Sequence, residues 1–497
     1  MKHLLPALCV GSLALAVPAG AQEPVPSSLS LEEALEIARA DNPSFRQARN
    51  DADLAIWNVR QAWGALFPQA SANAGVQWQG AGEQQIGSLT LGDLGFSNQP
   101  SYYLSNYRIG LSYYLDWATL KGPSQARADR QATYAQIDLA EASLMSQVTN
   151  TYVEALRQQE ALRIAELQLE NSEYNLRLAQ AQLEVGAVTG IDVGQAEVQV
   201  GRSAVQVLQS RNALATARMR LLQQLGQPMG RDFTLTTTFE LAEPTWTEPE
   251  LEALALRQNP TLEARRRSRE SANIGVSSAR SPYFPSMTIS SGWSGFTREA
   301  SNTDFQVAQA QAQIAGAISQ CIATNELYSR LNPPLPSIDC SRFTFTDVQR
   351  QAILDQNDQF PFGFVQSQPT VSLQLSVPIF SGLSRQRNLE AARLQREDLV
   401  EQVREQEIAL EADIAIGVAN VRTAYESALL EERNRALAER QLDLARDRYQ
   451  LGEINFVDLV DAQTVLAQAE ADRLAAVYAY HDLVTVLEAL VAAPLRN

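Results

Sequence analysis

The sequence is written twice, and that duplication limits the folds open to it more than any other feature. LEIARADNP at Leu35–Pro43 returns as EALALRQNP at Glu252–Pro260. At the same offset Phe67-Pro68 becomes Phe284-Pro285, and Ala55, Val59 and Ala62 become Ala272, Val276 and Ala279. Beyond Trp293 the offset lengthens. Ile109-Gly110-Leu111-Ser112 answers Leu373-Gln374-Leu375-Ser376, and Val185-Gly186 through Asp192 and Ala196 answers Leu451-Gly452 through Asp458 and Ala462. A chain built this way must make one supersecondary plan twice. The expected organisation is a first repeat over residues 22–240 and a second over 241–497. The second is enlarged by a surface loop at about 296–366 that carries Cys321, Cys340 and the Pro333-Pro334-Leu335-Pro336 run.

Each repeat reads as a helix, a β-hairpin and a long helical hairpin. Asn42-Pro43 and Asn259-Pro260 open helices, with Asn as N-cap and Pro at the first helical position. Phe67-Pro68 and Phe284-Pro285 close them. Apolar residues then alternate with small or polar ones. Ile109, Leu111, Tyr113 and Leu115 form one such set, and Val371, Leu373, Leu375 and Val377 another. Weaker alternation runs through Ala72, Ala74, Val76 and Trp78 and through Met287 and Ile289. Period two is the strand signal, giving four strands in two hairpins. From Pro123 to Leu183 neither Gly nor Pro follows the first residue, which predicts a helix on the order of 90 Å long. Leu162, Leu169, Leu176 and Leu183 repeat every seven residues beside Ala165, Ser172 and Ala179, and Leu430, Leu437, Leu444 and Leu451 do the same in the second half. That period predicts left-handed supercoiling of packed helices. Gly186 and Gly452 end the long helices in left-handed residues, and return helices run from Thr189 to Leu225 and from Asn455 to Leu490.

The N-terminus supplies a compartment. Met1-Lys2-His3, the apolar run Leu4–Val17 and Ala19-Gly20-Ala21 have the form of a secretory signal peptide over 1–21. No other run of 18 apolar residues is present, so no transmembrane helix is expected. The chain has 2 His and 3 Cys. Without the leader only His481 remains, read as a packing or surface residue, with Cys321 and Cys340 as an even pair that suits a disulfide in an exported protein. Histidine-based catalysis and His-ligated zinc have no raw material. A formal charge of −17 argues against nucleic acid as a partner. A carboxylate hydrolase would need paired acids on loops, whereas the acids here lie on helix faces.

Four strands with open edges cannot close a membrane barrel alone, since single-chain barrels need about eight. Three chains sharing one barrel would supply twelve. The order, spacing and duplication of LSLEEALEIARADNP, ELEALALRQNP, SLQLSVPIFSGLSRQRNLEAARLQ, VGAVTGIDVGQAE and LGEINFVDLVDAQ resemble the TolC-like outer-membrane efflux proteins, the outer membrane factors, from Leu29 to Leu495. The resemblance implies a mainly α homotrimer. Its α-helical barrel would continue into a shared 12-stranded outer-membrane β-barrel, with four strands per chain and a twofold internal repeat. It further implies a passive, cofactor-free and non-enzymatic duct for efflux or type I secretion. The duct would sit in outer-membrane lipid, extend into the periplasm, and dock with a periplasmic adaptor (membrane fusion) protein and an inner-membrane transporter. By this resemblance Asp192, Tyr449, Asp458 and Asp461 line the periplasmic entrance, and the turns at Val185, Gly186, Leu451 and Gly452 receive the adaptor. Thr189-x-x-Asp192 and Asn455-x-x-Asp458 also read as helix-capping boxes. Asp461, whose counterpart is Gln195, has no capping role and is the stronger entrance candidate. Where one member of the family has an Arg that helps lock the entrance, this chain has Ile454, which cannot form that ion pair. The competing reading is a periplasmic coiled-coil scaffold without channel activity. It accounts for the heptads and leaves the strands unexplained.

Overall fold

The computed structural model describes residues 27–82, 85–86, 89–90, 99–186, 188–230 and 233–496. The signal-peptide reading of residues 1–21 lies outside them. Two compact units are formed. One takes in the described parts of Met1–Val59, Ser124–Val276 and Glu390–Asn497, and the other Arg60–Pro123 and Ser277–Leu389.

The helical unit repeats one corner twice. Helix α1 (Leu31–Asp41) starts at a capping box in which Ser30 and Glu33 bond each other's backbone N–H. It stops at Asn42, which is extended because the next residue is Pro, and α2 (Pro43–Gly64) begins at once. The Asn42 side chain serves both ends of the corner. Its Oδ1 accepts from the Phe45 N–H at 3.0 Å, and its Nδ2 donates to the Gln224 carbonyl at 2.8 Å. The second copy is the same. Helix α5 (Glu248–Gln258) follows the Thr247/Glu250 box, and α6 (Pro260–Ser278) begins after Asn259. Asn259 caps Leu262 at 2.9 Å and donates to the Leu490 carbonyl at 2.9 Å. The sequence reading missed α1 and α5, although their Ser-x-x-Glu and Thr-x-x-Glu starts are visible.

Two helical hairpins complete the plan: α3 (Trp117–Glu184) with α4 (Gly190–Leu225), and α9 (Ser384–Gln450) with α10 (Phe456–Val491). Helix α3 starts before Pro123. Asp116 acts as its N-cap, with Oδ1 accepting from the Thr119 N–H and hydroxyl, both at 2.7 Å. Pro123 is carried inside the helix. The residue before it is Gly122, whose missing Cβ removes part of the usual clash with a proline ring. Helix α10 is, by length and composition, apolar enough to cross a membrane, with a mean hydropathy of 1.4 over its best window. Its apolarity is an average over a sequence broken by charges. Leu487, Val484 and Val491 pack against Ile414, Leu410 and Val418 of α9 in the core of the second copy.

His481 lies on α10 and is buried, with its ring 5.0 Å from both Phe239 and Tyr480. Among the described residues neither ring nitrogen has a hydrogen-bond partner. Burial, reinforced by the Arg496 guanidinium, lowers its pKa to about 4.

The other unit carries the sheet. Strands β1 (Gln69–Gln79), β2 (Tyr102–Leu115) and β3 (Ser286–Ala300) pair antiparallel in that order. The short β4 (Val365–Gln366) and then β5 (Thr370–Ser376) pair with the far side of β3. The two expected hairpins are thus one sheet, joined through β2 and β3. The register puts Val76, Trp78, Ile109, Leu111, Trp293 and Leu373 on one face, and Asn73, Gln77, Asn106, Arg108, Ser290 and Gln374 on the other. Both faces and both edge strands are largely solvent-exposed in the single chain.

The segment at 296–366, read as one loop, contains two helices: α7 (Asp304–Ser329) and α8 (Asp347–Asn357). The Pro run falls between them. α7 is a stretch of Ala and Gln with no Pro, and both residues are good helix formers. It has no apolar stripe, so periodicity did not reveal it. Cys321 and Cys340 are bonded, linking α7 to the turn that precedes α8.

One consequence concerns pH. His481 stays neutral in the fold down to about pH 4, whereas an unfolded imidazole protonates near 6.5. Between those values the unfolded chain binds the extra proton. Stability is therefore full above pH 6.5 and falls as pH drops towards 4, by about 3 kcal/mol. We expect the thermal midpoint of the helical signal to fall between pH 7 and pH 5, and His481→Phe to flatten that fall.

Candidate functional site at the helix-pair turns

The turns joining α3 to α4 and α9 to α10 are built alike. Gly186 has φ 76° and Gly452 φ 72°. The Gly186 N–H donates to the Leu183 carbonyl at 3.0 Å. The Gly452 N–H reaches Tyr449 at 3.0 Å, and the Glu453 N–H reaches Arg448 at 2.9 Å. These bonds satisfy the last carbonyls of each long helix. A Cβ at either glycine would meet nothing within 4 Å, so the left-handed backbone is what requires glycine there. Beside them Val185 and Leu451 are 79% and 75% exposed.

The return helices open on capping boxes. The Asp192 carboxylate accepts from the Thr189 N–H and hydroxyl, both at 2.8 Å. Those two bonds hold its pKa below the ordinary carboxylate value. Asn455 Oδ1 accepts from the Asp458 N–H at 2.9 Å, and Asp458 accepts from the Asn455 N–H at 3.4 Å. Asp461 lies beyond the cap, is exposed, and makes no hydrogen bond or ion pair among the described residues.

Tyr449 is not on the surface. It is 2% exposed in a small core with Leu442, Phe456, Leu459, Ala179 and Ala196, its ring edge-on to Phe456 at 5.8 Å. Ile454 packs on the same core. Burial, with the Asp192 charge adding to it, raises the phenol pKa, and among the described residues the hydroxyl has no hydrogen-bond partner. An aromatic ring between two helix ends gains more from apolar contact than from solvent. In the single chain Tyr449 therefore packs within the turn.

The heptads lead away from the turns in two distinct ways. Within the first hairpin the seam is made of small residues. Ala165, Ser172 and Ala179 of α3 are buried, as are Ala196, Ser203, Ser210 and Ala217 of α4. The Ser172 and Ser203 hydroxyls meet at 2.9 Å. The leucines of the second half do otherwise. Leu430, Leu437, Leu444 and Leu451 stand on the outside of α9, with Leu437 60% exposed. Ala428, Leu442 and Tyr449 form the buried side of that helix. A seven-residue period fixes that a stripe exists, not which surface it meets. Helix α4 has its own exposed stripe at Ile191, Val198 and Val205. Among the described residues no group of His, Cys, Asp and Glu could hold a metal ion.

Comparison with known proteins agrees with this architecture. The profile of the outer membrane efflux protein family matches residues 34–227 and 332–493. The probable outer membrane lipoprotein SilC of Salmonella typhimurium is 27% identical over 252 residues, 50% of this chain and 51% of that one. The outer membrane protein TolC of Vibrio cholerae is 25% identical over 298 residues, 59% of this chain and 63% of that one. At the sequence level the chain thus spans about half the length of such relatives. In fold the similarity is nearly complete. A crystal structure of CusC superposes with a TM-score of 0.66 at 17% identity, covering 93% of this chain and 92% of that one. The CmeC outer membrane channel of Campylobacter jejuni gives 0.68 at 14% identity, covering 93% and 85%. The duplicated corners, the capped turns and the matched profile together make this chain a member of the outer membrane efflux protein family, localised to the outer membrane.

Proposed function

We propose that the chain is one protomer of a homotrimeric, non-enzymatic export duct, passive and cofactor-free. A periplasmic adaptor and an inner-membrane transporter would supply its cargo and energy. The observation that carries this reading is the pair of unlike apolar stripes left open on the helical unit: leucines on α9, and Ile191, Val198 and Val205 on α4. Two different surfaces on one subunit make a head-to-tail contact, and such contacts form a ring where the rotation between subunits closes. The sheet supports the same arrangement, because β1 and β5 are open edges and unpaired edges call for a neighbour. Four long strands from each of three chains would make twelve, within the range of closed outer-membrane barrels. The apolar face of the sheet would then meet lipid and the polar face would line the lumen.

At the turns, a threefold axis would convert the free carboxylate of Asp461 into a ring of three. Such a ring concentrates cations. Asp192 and Asp458 are engaged in their caps and contribute less. Val185, Gly186, Leu451 and Gly452 form the exposed turns on which an adaptor hairpin would seat. Ile454, partly buried against the core that holds Tyr449 and Phe456, leaves closure to packing and to the acidic ring. Efflux and type I secretion share this geometry.

Three measurements test the reading. In planar bilayers the protein should pass a small cation-preferring current, whereas a coiled-coil scaffold would pass none. Asp461→Asn should weaken block by multivalent cations by about tenfold. Unchanged block in that variant, with loss of block in Asp458→Asn, would move the ring to Asp458. Leu437→Glu should leave helicity intact and shift the detergent-solubilised protein from trimer to monomer in light scattering. Asp192→Ala should cost the start of α4 about 1 kcal/mol, seen as faster amide exchange over residues 190–194 without loss of current.

A further inference from the structure

The helical insert between β3 and β4 makes its sheet contacts at one end. That end, marked by Tyr102 and Ala300, is opposite the one where β2 leads into α3. The last residue of α8 is clamped there. Asn357 Oδ1 accepts from the Ala300 N–H at 2.7 Å, and its Nδ2 donates to the Ala300 carbonyl at 3.4 Å. The chain then folds back along the sheet, laying Phe360 against Tyr103 at 5.8 Å and Phe364 edge-on to Tyr107 at 4.8 Å. Gly295 makes this possible, since a Cβ there would sit 2.5 Å from the Tyr107 ring and 3.1 Å from Phe364.

Strand alternation decides which face is covered. Tyr103 and Tyr107 share the apolar face with Trp78, Ile109 and Trp293. Ser105 and Thr297, on that face, are 5% and 3% exposed. Across the same strands Asn106, Arg108 and Arg298 on the polar face stay exposed. The insert therefore packs over the end of the apolar face and leaves the polar face clear.

Its own chemistry fits that side. From Phe305 through Asn325 α7 contains no Asp, Glu, Lys or Arg. Ile322, Leu327, Val348 and Phe362 are exposed, Phe362 at 82%. Acids outnumber bases in the insert, which argues against anionic phosphate as its main attraction. Uncharged helix, exposed aliphatics and a cluster of aromatics suit the boundary between headgroups and acyl chains.

We propose that this disulfide-stapled insert is a collar on the lipid side of the sheet, seated at the headgroup boundary of the outer leaflet, and not a plug within the lumen. The proposal rests on the reading that the apolar sheet face meets lipid, and it continues that surface. It assigns the insert a lipid partner.

Cys321 and Cys340 are bonded to each other, so in a Cys9→Ser background single-cysteine variants label selectively. Phe362→Cys, Leu373→Cys and Asn106→Cys carry an environment-sensitive fluorophore in phosphatidylcholine vesicles. The vesicles contain lipid spin-labelled at the headgroup or high on the acyl chain. The Phe362 and Leu373 sites should lose most of their emission to spin-labelled lipid, and Asn106 should lose its emission only to aqueous iodide. Iodide quenching alone at Phe362, or protection from both quenchers by a neighbouring copy, would overturn the collar. In bilayers, a bulky polyethylene glycol maleimide at position 362 should leave the current unchanged, and one at position 106 should reduce it. Block from position 362 would identify a plug. Absence of any current from the unlabelled protein would defeat the duct reading, while the quenching result would still report where the insert lies.

Discussion

One side-chain amide at each Asn-Pro corner holds three helix ends in place. Asn42 caps α2, ends α1 because proline follows it, and donates to the carbonyl of Gln224 in the last turn of α4. Asn259 does the same for α5, α6 and Leu490 of α10. Each bond contributes only about 1 kcal/mol, but both residues are buried. Removing either would strand a backbone N–H and a carbonyl away from water, which costs more than the bonds gain. The corner also sets a steric demand. Gly226, just past α4, is left-handed, and a Cβ on it would lie 2.5 Å from the Asp41 carbonyl oxygen. The matching residue in the second copy is Ala492, held at φ 51°. That conformation is uphill by roughly 1–2 kcal/mol for any residue with a Cβ, so the second corner carries strain that the first avoids.

Much of this was legible because the chemistry is local. Asn-Pro, Thr-x-x-Asp and the helix-ending glycines act within four residues of themselves, and the structure has them in the expected geometry. The strands were visible for the same reason, since alternation is a property of one segment. Pro123 misled because its effect depends on Asp116, seven residues earlier, whose cap starts the helix. Helix α7 was missed because an Ala/Gln stretch gives no period, and the nearby Pro run suggested a loop.

Other features were illegible for a deeper reason. A heptad states that one side of a helix is apolar and is silent about which surface meets it. On α3 the buried partners of the repeat are Ala165, Ser172 and Ala179, with the leucines at the flank. On α9 the leucines face outward. The resemblance implies Tyr449 at the entrance, and the single chain shows it packed in the turn. Its burial depends on Phe456 and Leu459, across the turn, and no local pattern encodes that contact.

The contrast between the two seams carries the physical logic of the helical unit. Small residues let α3 and α4 approach closely, and the hydroxyl pair of Ser172 and Ser203 favours their register, because a slip of one heptad in either direction would set the buried Ser203 against Ala179 or Ala165 in place of that hydroxyl. That seam is rigid and specific. The leucine stripe has no polar group to satisfy, so the surface it meets is held by area alone and tolerates small rotations with little loss. A subunit that is stiff within its hairpins and apolar at its outer edges can change its spacing to a neighbour without unfolding. His481 points the same way: it is kept neutral in an aromatic pocket, without a hydrogen bond to its ring among the described residues, where it can pack and do little chemistry. The chain devotes its polar side chains to fixing angles and registers, and its exposed apolar ones to surfaces that something else must cover.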